Sequence, residues 1–310
     1  LLASCLRSVR PSSSNREGEI RVLDRPTILI AGATGSIGYA AASALAKRGA
    51  RVVLLGRSAD KLDARAARIG SACAGAGVDD VATLVVDFSD LESVRSAAGE
   101  ALCRFPAIDG LVLSVGALIQ GGPHVLPNGH EVMFATNVIG PFLFTNLLLQ
   151  RLEQSNGLLL HVIAPFDEAL DWDDLESLLK HRPMAAFNTT KGCNRLIAGE
   201  FARRYAGRIP SVAFDPTFVL DKSDPELKDR WPSGFAGAVW RLMATFRAKP
   251  AEIAGEPLAE LMLDEDRSSF DGALFVLDER SEEPDSLMAD EVEGRRLWER
   301  LEQMTEPAPR

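Results

Sequence analysis

The chain has 310 residues, of which 46% are hydrophobic and 25% charged, with 25 glycines. That excludes global disorder and supplies enough apolar side chains for one large α/β domain. A formal charge of −10 denies nucleic acid the basic face it would need, and no run of 18 consecutive apolar residues predicts a membrane span.

Four cysteines (Cys5, Cys73, Cys103 and Cys193) lie far apart, without a CxxC pair or a histidine partner. This excludes a zinc finger and predicts free thiols rather than a disulfide framework, in a cytoplasmic setting. Residues 1–25 read as an N-terminal arm. Arg7, Arg10 and Arg16 among serines, without an acid before Glu17, loosely imitate a transit peptide; an irregular arm or short helix is the plainer reading.

From Pro26 onward, short apolar runs alternate with helical patterns. Strands are predicted at Thr27–Ala31, Arg51–Leu55, Ala82–Asp87, Gly110–Val115, Leu158–Ile163, Ser211–Phe214 and Ala273–Leu277. Most are continuous in Val, Ile, Leu and Ala, as strands are when a parallel sheet is covered on both faces. Helices are predicted most clearly at Ile37–Arg48, Leu91–Arg104, Glu131–Glu153, Lys191–Tyr205 and Glu291–Met304. The repeated β-α unit predicts one Rossmann-type, doubly wound parallel sheet of about seven strands, spanning residues 26–310. A Pro- and Trp-rich excursion around 222–257 reads as a cap over a small-molecule substrate, or as plain packing.

After the first strand comes Gly32-Ala33-Thr34-Gly35-Ser36-Ile37-Gly38, opening a helix. Glycines there allow a tight turn and close approach of a pyrophosphate to the helix N-terminus. The second strand ends in Leu55-Gly56-Arg57-Ser58, where an NAD site would place an acid. Arg57 can instead grip a 2′-phosphate, so NADP(H) is the expected cofactor; the alternative leaves Arg57 in solvent.

These residues resemble the short-chain dehydrogenase/reductase family, from about Thr27 to Leu301, most closely its retinol-dehydrogenase and protochlorophyllide-reductase branch. The resemblance implies that Gly32, Gly35 and Gly38 form the glycine turn, with Thr34, Ser36 and Ile37 beside the nucleotide. It implies that Asp87-Phe88 flank the adenine and that Leu113-Ser114-Val115-Gly116 replace the family's NNAG, so that Ser114 and Gly116 contact the cofactor. Asn137 matches the asparagine of the fourth helix. Asp215-Pro216-Thr217 match the Pro-Gly turn beside the nicotinamide, with Thr217 in place of glycine and Phe218 following. Family members often pair long helices, which implies a homodimer or homotetramer through those containing Asn137 and Lys191.

The family's catalytic YxxxK pair falls on Phe187-Asn188-Thr189-Thr190-Lys191, and its serine on Ala164. Both hydroxyls are therefore missing while Asn137 and Lys191 remain. Only Tyr39 and Tyr205 exist as substitutes. Tyr39 follows the phosphate turn, and Tyr205 lies fourteen helical residues past Lys191, about 21 Å. Positioned general acids contribute roughly 10²–10⁴-fold and an oxyanion donor about 10²–10³-fold, so ordinary ketone reduction should nearly vanish.

Replacement candidates lie between Ala164 and Phe187: His181 as a proton donor, and Asp167, Glu168, Asp171, Asp173, Asp174 and Glu176, which read equally as a solvated charge run. No metal site is expected from them. His124 and His130 precede the fourth helix, and Asn188 and Thr190 are further hydrogen-bonding groups. Three functions fit: an NADP(H)-dependent reductase working without the tyrosine acid, a non-redox cyclase or isomerase, and a catalytically silent nucleotide-binding partner protein.

Overall fold

A computed structural model describes residues 25–73, 81–164, 170–220, 248–277, 279–283 and 285–306. The N-terminal arm and most of the capping excursion (221–247) lie outside the described residues, as do Asp167 and Glu168. Strands β1 (Thr27–Ala31), β2 (Arg51–Gly56), β3 (Val81–Val85), β4 (Gly110–Leu113), β5 (Leu158–Val162) and β6 (Ser211–Asp215) are parallel; β9 (Leu274–Val276) joins them, and β10 (Glu279–Arg280) adds an antiparallel edge. The order β3-β2-β1-β4-β5-β6-β9-β10 gives seven parallel strands and an eighth outside the expected count. Between β6 and β9, β7 (Val219–Leu220) and β8 (Lys249–Pro250) form a separate two-stranded ribbon.

Both faces of the sheet are covered because consecutive strand residues are apolar. Leu29, Ala31, Val53 and Leu55 enter one core, under α3 (Leu91–Arg104), α4 (Val132–Gln154), α5 (Pro183–Arg204) and α8 (Glu291–Thr305). Ile28, Ile30, Val52 and Leu54 enter the other, under α1 (Ser36–Lys47), α2 (Ala59–Ala72) and α6 (Gly255–Leu263). A short α7 (Ser286–Ala289) precedes α8. Each buried leucine or isoleucine contributes about 1.5–3 kcal/mol relative to exposure, and this pattern places them on alternate faces without a polar break.

The start of one helix, a further helix and the burial of another differ from or add to the sequence expectation. Pro183, whose ring suits the first turn of a helix, starts α5 eight residues before Lys191, so Phe187 is helical. Helix α2 is capped by Ser58, whose hydroxyl accepts from the Lys61 amide at 3.4 Å; its arginine-rich face hides the apolar period carried by Leu62 and Ile69. Helix α4 has the length and composition of a membrane span, yet 72% of its most apolar window is buried inside the protein. Cys73 and Cys193 are free, as expected, whereas Cys103 is disulfide-bonded.

Candidate active site

The chain reverses direction across the sheet between β1 and β4, and in such folds a ligand crevice opens beyond the carboxyl ends of the strands there. Gly32 takes φ +80°, and a Cβ on it would lie 2.7 Å from the Ser114 carbonyl oxygen, so the glycine turn rests directly on the end of β4. A Cβ on Gly38 would meet the Gly32 oxygen at 2.5 Å; only glycine lets α1 approach its own entry turn this closely. Gly35 is the N-cap of α1, with neither a side-chain cap nor an acid in the first turn, whereas Ser58 and Asp90 cap α2 and α3. The first amides of α1, including those of Ser36 and Ile37, are thus left for an anion. This uncapped terminus fits a dinucleotide pyrophosphate.

At the end of β2, Arg57 is exposed and Ser58 is engaged in capping α2. Arg65 was not singled out by sequence reasoning. Its guanidinium donates to the Thr34 carbonyl in the glycine turn at 3.4 Å and lies 4.2 Å over the Tyr39 ring, with Arg68 at 5.6 Å from the same ring. The available signal was the helical spacing of Arg65 and Arg68, both on one face of α2 two turns beyond Arg57. Asp87 accepts from the Ser89 amide at 2.9 Å and hydroxyl at 2.7 Å. Phe88 turns its ring into the core against Phe144, leaving only its backbone to flank an adenine.

Asn137 sits in a π-helical turn of α4, Ala135–Ile139, and is 1% exposed. Its amide is fully engaged: Oδ1 accepts from the Ala117 amide at 2.7 Å, and Nδ2 donates to the Ala117 carbonyl at 2.9 Å and to Thr190 Oγ1 at 3.2 Å. It therefore pins the loop after β4 to α5. Thr190 is absorbed in the same bond and donates to the Phe187 carbonyl at 2.7 Å.

Lys191 enters the site from α5, one turn beyond Phe187. Its Nζ lies 5.6 Å from the Phe187 ring centroid and donates to the carbonyls of Val162 at 3.3 Å and Val115 at 3.5 Å. Burial lowers its pKa to about 8. A Cβ on the exposed Gly116 would stand 3.4 Å from this nitrogen and 3.8 Å from Phe187, so Gly116, Phe187 and Lys191 form one cluster. Ala164 follows β5, half-buried. Tyr39 lies under Arg65, and Tyr205 under Arg208 at 5.0 Å beyond the end of α5, so the aromatic ring beside the lysine is the phenyl of Phe187.

The acids of the following loop build that loop. Asp174 accepts from the amides of Leu178, Leu179 and Lys180, and Asp171 accepts from the Asp173 amide and pairs with Lys180 at 3.7 Å. Glu176 and His130, read separately in the sequence, meet at 3.2 Å and join this loop to the start of α4. His181 bonds the Ser177 carbonyl through Nδ1 at 3.2 Å; its Nε2 is buried without a partner and faces Gly122. His124 contacts the same glycine and lies 3.4 Å from the Gln120 carbonyl. Among the described residues no cluster of three or more His, Cys, Asp or Glu could hold a metal. Pro216 is buried, and Asp215 accepts from the Thr217 amide at 2.7 Å.

A family profile described as short chain dehydrogenase matches residues 26–165. Retinol dehydrogenase 13 of Homo sapiens is 28% identical over 282 residues, covering 88% of this chain and 82% of that protein. A Streptomyces sp. (strain C5) protein named for daunorubicin C-13 ketoreduction is 33% identical over 192 residues; the match covers 61% of this chain and 64% of the relative, just under two thirds of its length. Among solved structures, the L-sorbose reductase of Gluconobacter frateurii, complexed with NADPH and L-sorbose, has a TM-score of 0.62 at 18% identity over 82% of this chain and 95% of that one. A short chain dehydrogenase of Shigella flexneri 2a str. 301, complexed with NADP, has a TM-score of 0.61 at 21% identity over 83% and 98%. These structural likenesses show the fold.

Proposed function

We propose that this chain is a short-chain dehydrogenase/reductase near the retinol dehydrogenases, supported by the profile match over residues 26–165 and by 28% identity to retinol dehydrogenase 13 over 88% of the chain, and that it is an NADP(H)-dependent reductase of small molecules working without the usual tyrosine acid. The observation that carries this reading is the phenyl ring of Phe187 beside Lys191, next to a phosphate turn that keeps its glycines and its uncapped helix. A bound nicotinamide supplies the hydride. The remaining work falls to the chain: the α1 amides receive the pyrophosphate, and Arg57, with Arg65 alongside, offers forked donors to a 2′-phosphate. Asn137 holds the loop that carries Gly116, and Lys191 offers donors to the ribose.

With an apolar ring in place of the phenol, the site suits substrates that need hydride more than acid, such as activated enones, and takes its proton from water, from His181 or from the substrate. The kinship to a protein named for daunorubicin ketoreduction supports a role in secondary metabolism.

Isothermal titration should show NADPH binding more tightly than NADH, and Arg57→Ala should weaken NADPH about tenfold or more while sparing NADH. Equal affinity for both nucleotides in the parent protein would overturn the NADP assignment. The Phe187→Tyr/Ala164→Ser double variant should gain reduction of simple carbonyls by roughly 10²-fold or more. If product forms with the parent protein while NADPH absorbance persists, the non-redox cyclase or isomerase replaces the reductase.

A further inference from the structure

We propose that Lys191 is a nucleophile that captures aldehydes as an imine. This goes beyond the reductase reading and does not depend on hydride transfer. Three observations carry it. First, Lys191 is 6% exposed, and its amine is held by the carbonyls of Val162 and Val115, at 3.3 and 3.5 Å. Neither carries charge, and no carboxylate pairs with Lys191 among the described residues. Such a site supports the neutral amine far better than a solvated or ion-paired one does.

Second, the neighbour that a phenol would occupy is the Phe187 ring, 5.6 Å away, which has no proton to exchange with the amine. Third, the exposed Gly116 lies against the nitrogen: a Cβ there would stand 3.4 Å from Nζ, so the backbone beside the amine carries no side chain. A carbonyl carbon can arrive over this glycine, from the strand ends where ligands of this fold gather.

The chemistry is balanced without a co-reactant. The nitrogen lone pair forms a C–N bond to the carbonyl carbon, and the C=O π pair moves to oxygen, which takes the proton that nitrogen sheds. The nitrogen lone pair then expels that hydroxyl, which leaves as water with the second nitrogen proton, giving a neutral C=N; water reverses each step. Burial lowers the Lys191 pKa from 10.5 to about 8, so the neutral amine is well populated near pH 7.5.

The full-length protein, without added nucleotide, is treated with cinnamaldehyde and sodium cyanoborohydride, and adducts are located by peptide mass spectrometry. Lys180, whose side chain is 80% exposed, is the internal reference. At pH 7.5 Lys191 should be modified roughly tenfold faster than Lys180 or more, with a rate that rises through about pH 8. Lys191→Arg should remove the fast adduct and leave the slow ones. Modification at Lys180 and Lys249 with Lys191 untouched, or no faster than they are, would overturn the proposal. The parent protein's adduct map decides this even if the variant does not fold, and nucleotide titration reports separately on the reductase reading.

Discussion

Thr217 adopts φ +58°, a left-handed conformation that a β-branched side chain enters at a cost of roughly 1–2 kcal/mol. The Asp215 carboxylate receives the Thr217 amide at 2.7 Å and braces the turn. Burial is the main influence on that carboxyl and raises its pKa. Thr217→Gly should relieve the strain and raise unfolding stability by about 0.5–1 kcal/mol, read from urea denaturation. Thr217→Val should not, because it keeps the branching; a Thr217→Gly variant less stable than the parent would refute the strain argument. The threonine was legible in the sequence as a departure from the family's glycine, but its φ was not, because threonine alone predicts negative φ.

Helices α5 and α7 are joined by a buried ion pair. Arg195 Nε donates to Asp285 Oδ2 at 2.9 Å, while Asp285 Oδ1 caps α7 by accepting from Leu287 and Met288 at 3.0 and 2.9 Å. The side chain of Asp285 is 2% exposed. Arg195→Ala strands a buried carboxylate and should cost about 3–5 kcal/mol. Adding Asp285→Asn should recover part of that loss, since the amide oxygen still caps α7 and no longer carries charge. Equal destabilisation of the single and double variants in chemical denaturation would locate the cost in packing instead. Helix α8 continues this docking by laying Trp298 on α5 and α4, with ring centroids 4.8 Å from both Phe201 and Phe142. An association through the helices carrying Asn137 and Lys191 has to share that surface with α8.

Two buried bases give the whole molecule a pH dependence. His161 is 3% exposed, its Nε2 has no partner, and burial lowers its pKa from 6.5 to about 3. Between those values the unfolded chain binds a proton that the folded one refuses. The resulting stability is present above about pH 6.5 and is lost as pH falls toward 3, on the order of 5 kcal/mol in all. Lys191, lowered to about 8, behaves likewise at higher pH: the folded state gains as pH rises from 8 to 10.5. Denaturation midpoints should therefore climb from acid toward neutral pH, and His161→Leu should flatten the lower limb. A slope between pH 3 and 6.5 unchanged by His161→Leu would place the acid sensitivity in the carboxylates.

The sequence alone determined the alternating β-α order, the glycine turn after β1 and a phenylalanine four residues before Lys191. Continuous apolar strands and a glycine-bounded turn are local signals, written within a few residues of where they act. Tertiary structure decided what depends on distance across the fold. The docking of Arg65 on Thr34 spans 31 residues, and that of Asn137 on Thr190 spans 53. The meeting of Glu176 with His130 spans 46. Such pairs are set by how helices pack over a sheet, and no periodicity along the chain encodes which polar groups that packing brings face to face. The solvation of Lys191 belongs with them: its type is written in the chain, but its lowered basicity arises only once Val115, Val162 and Phe187 close around it and exclude water.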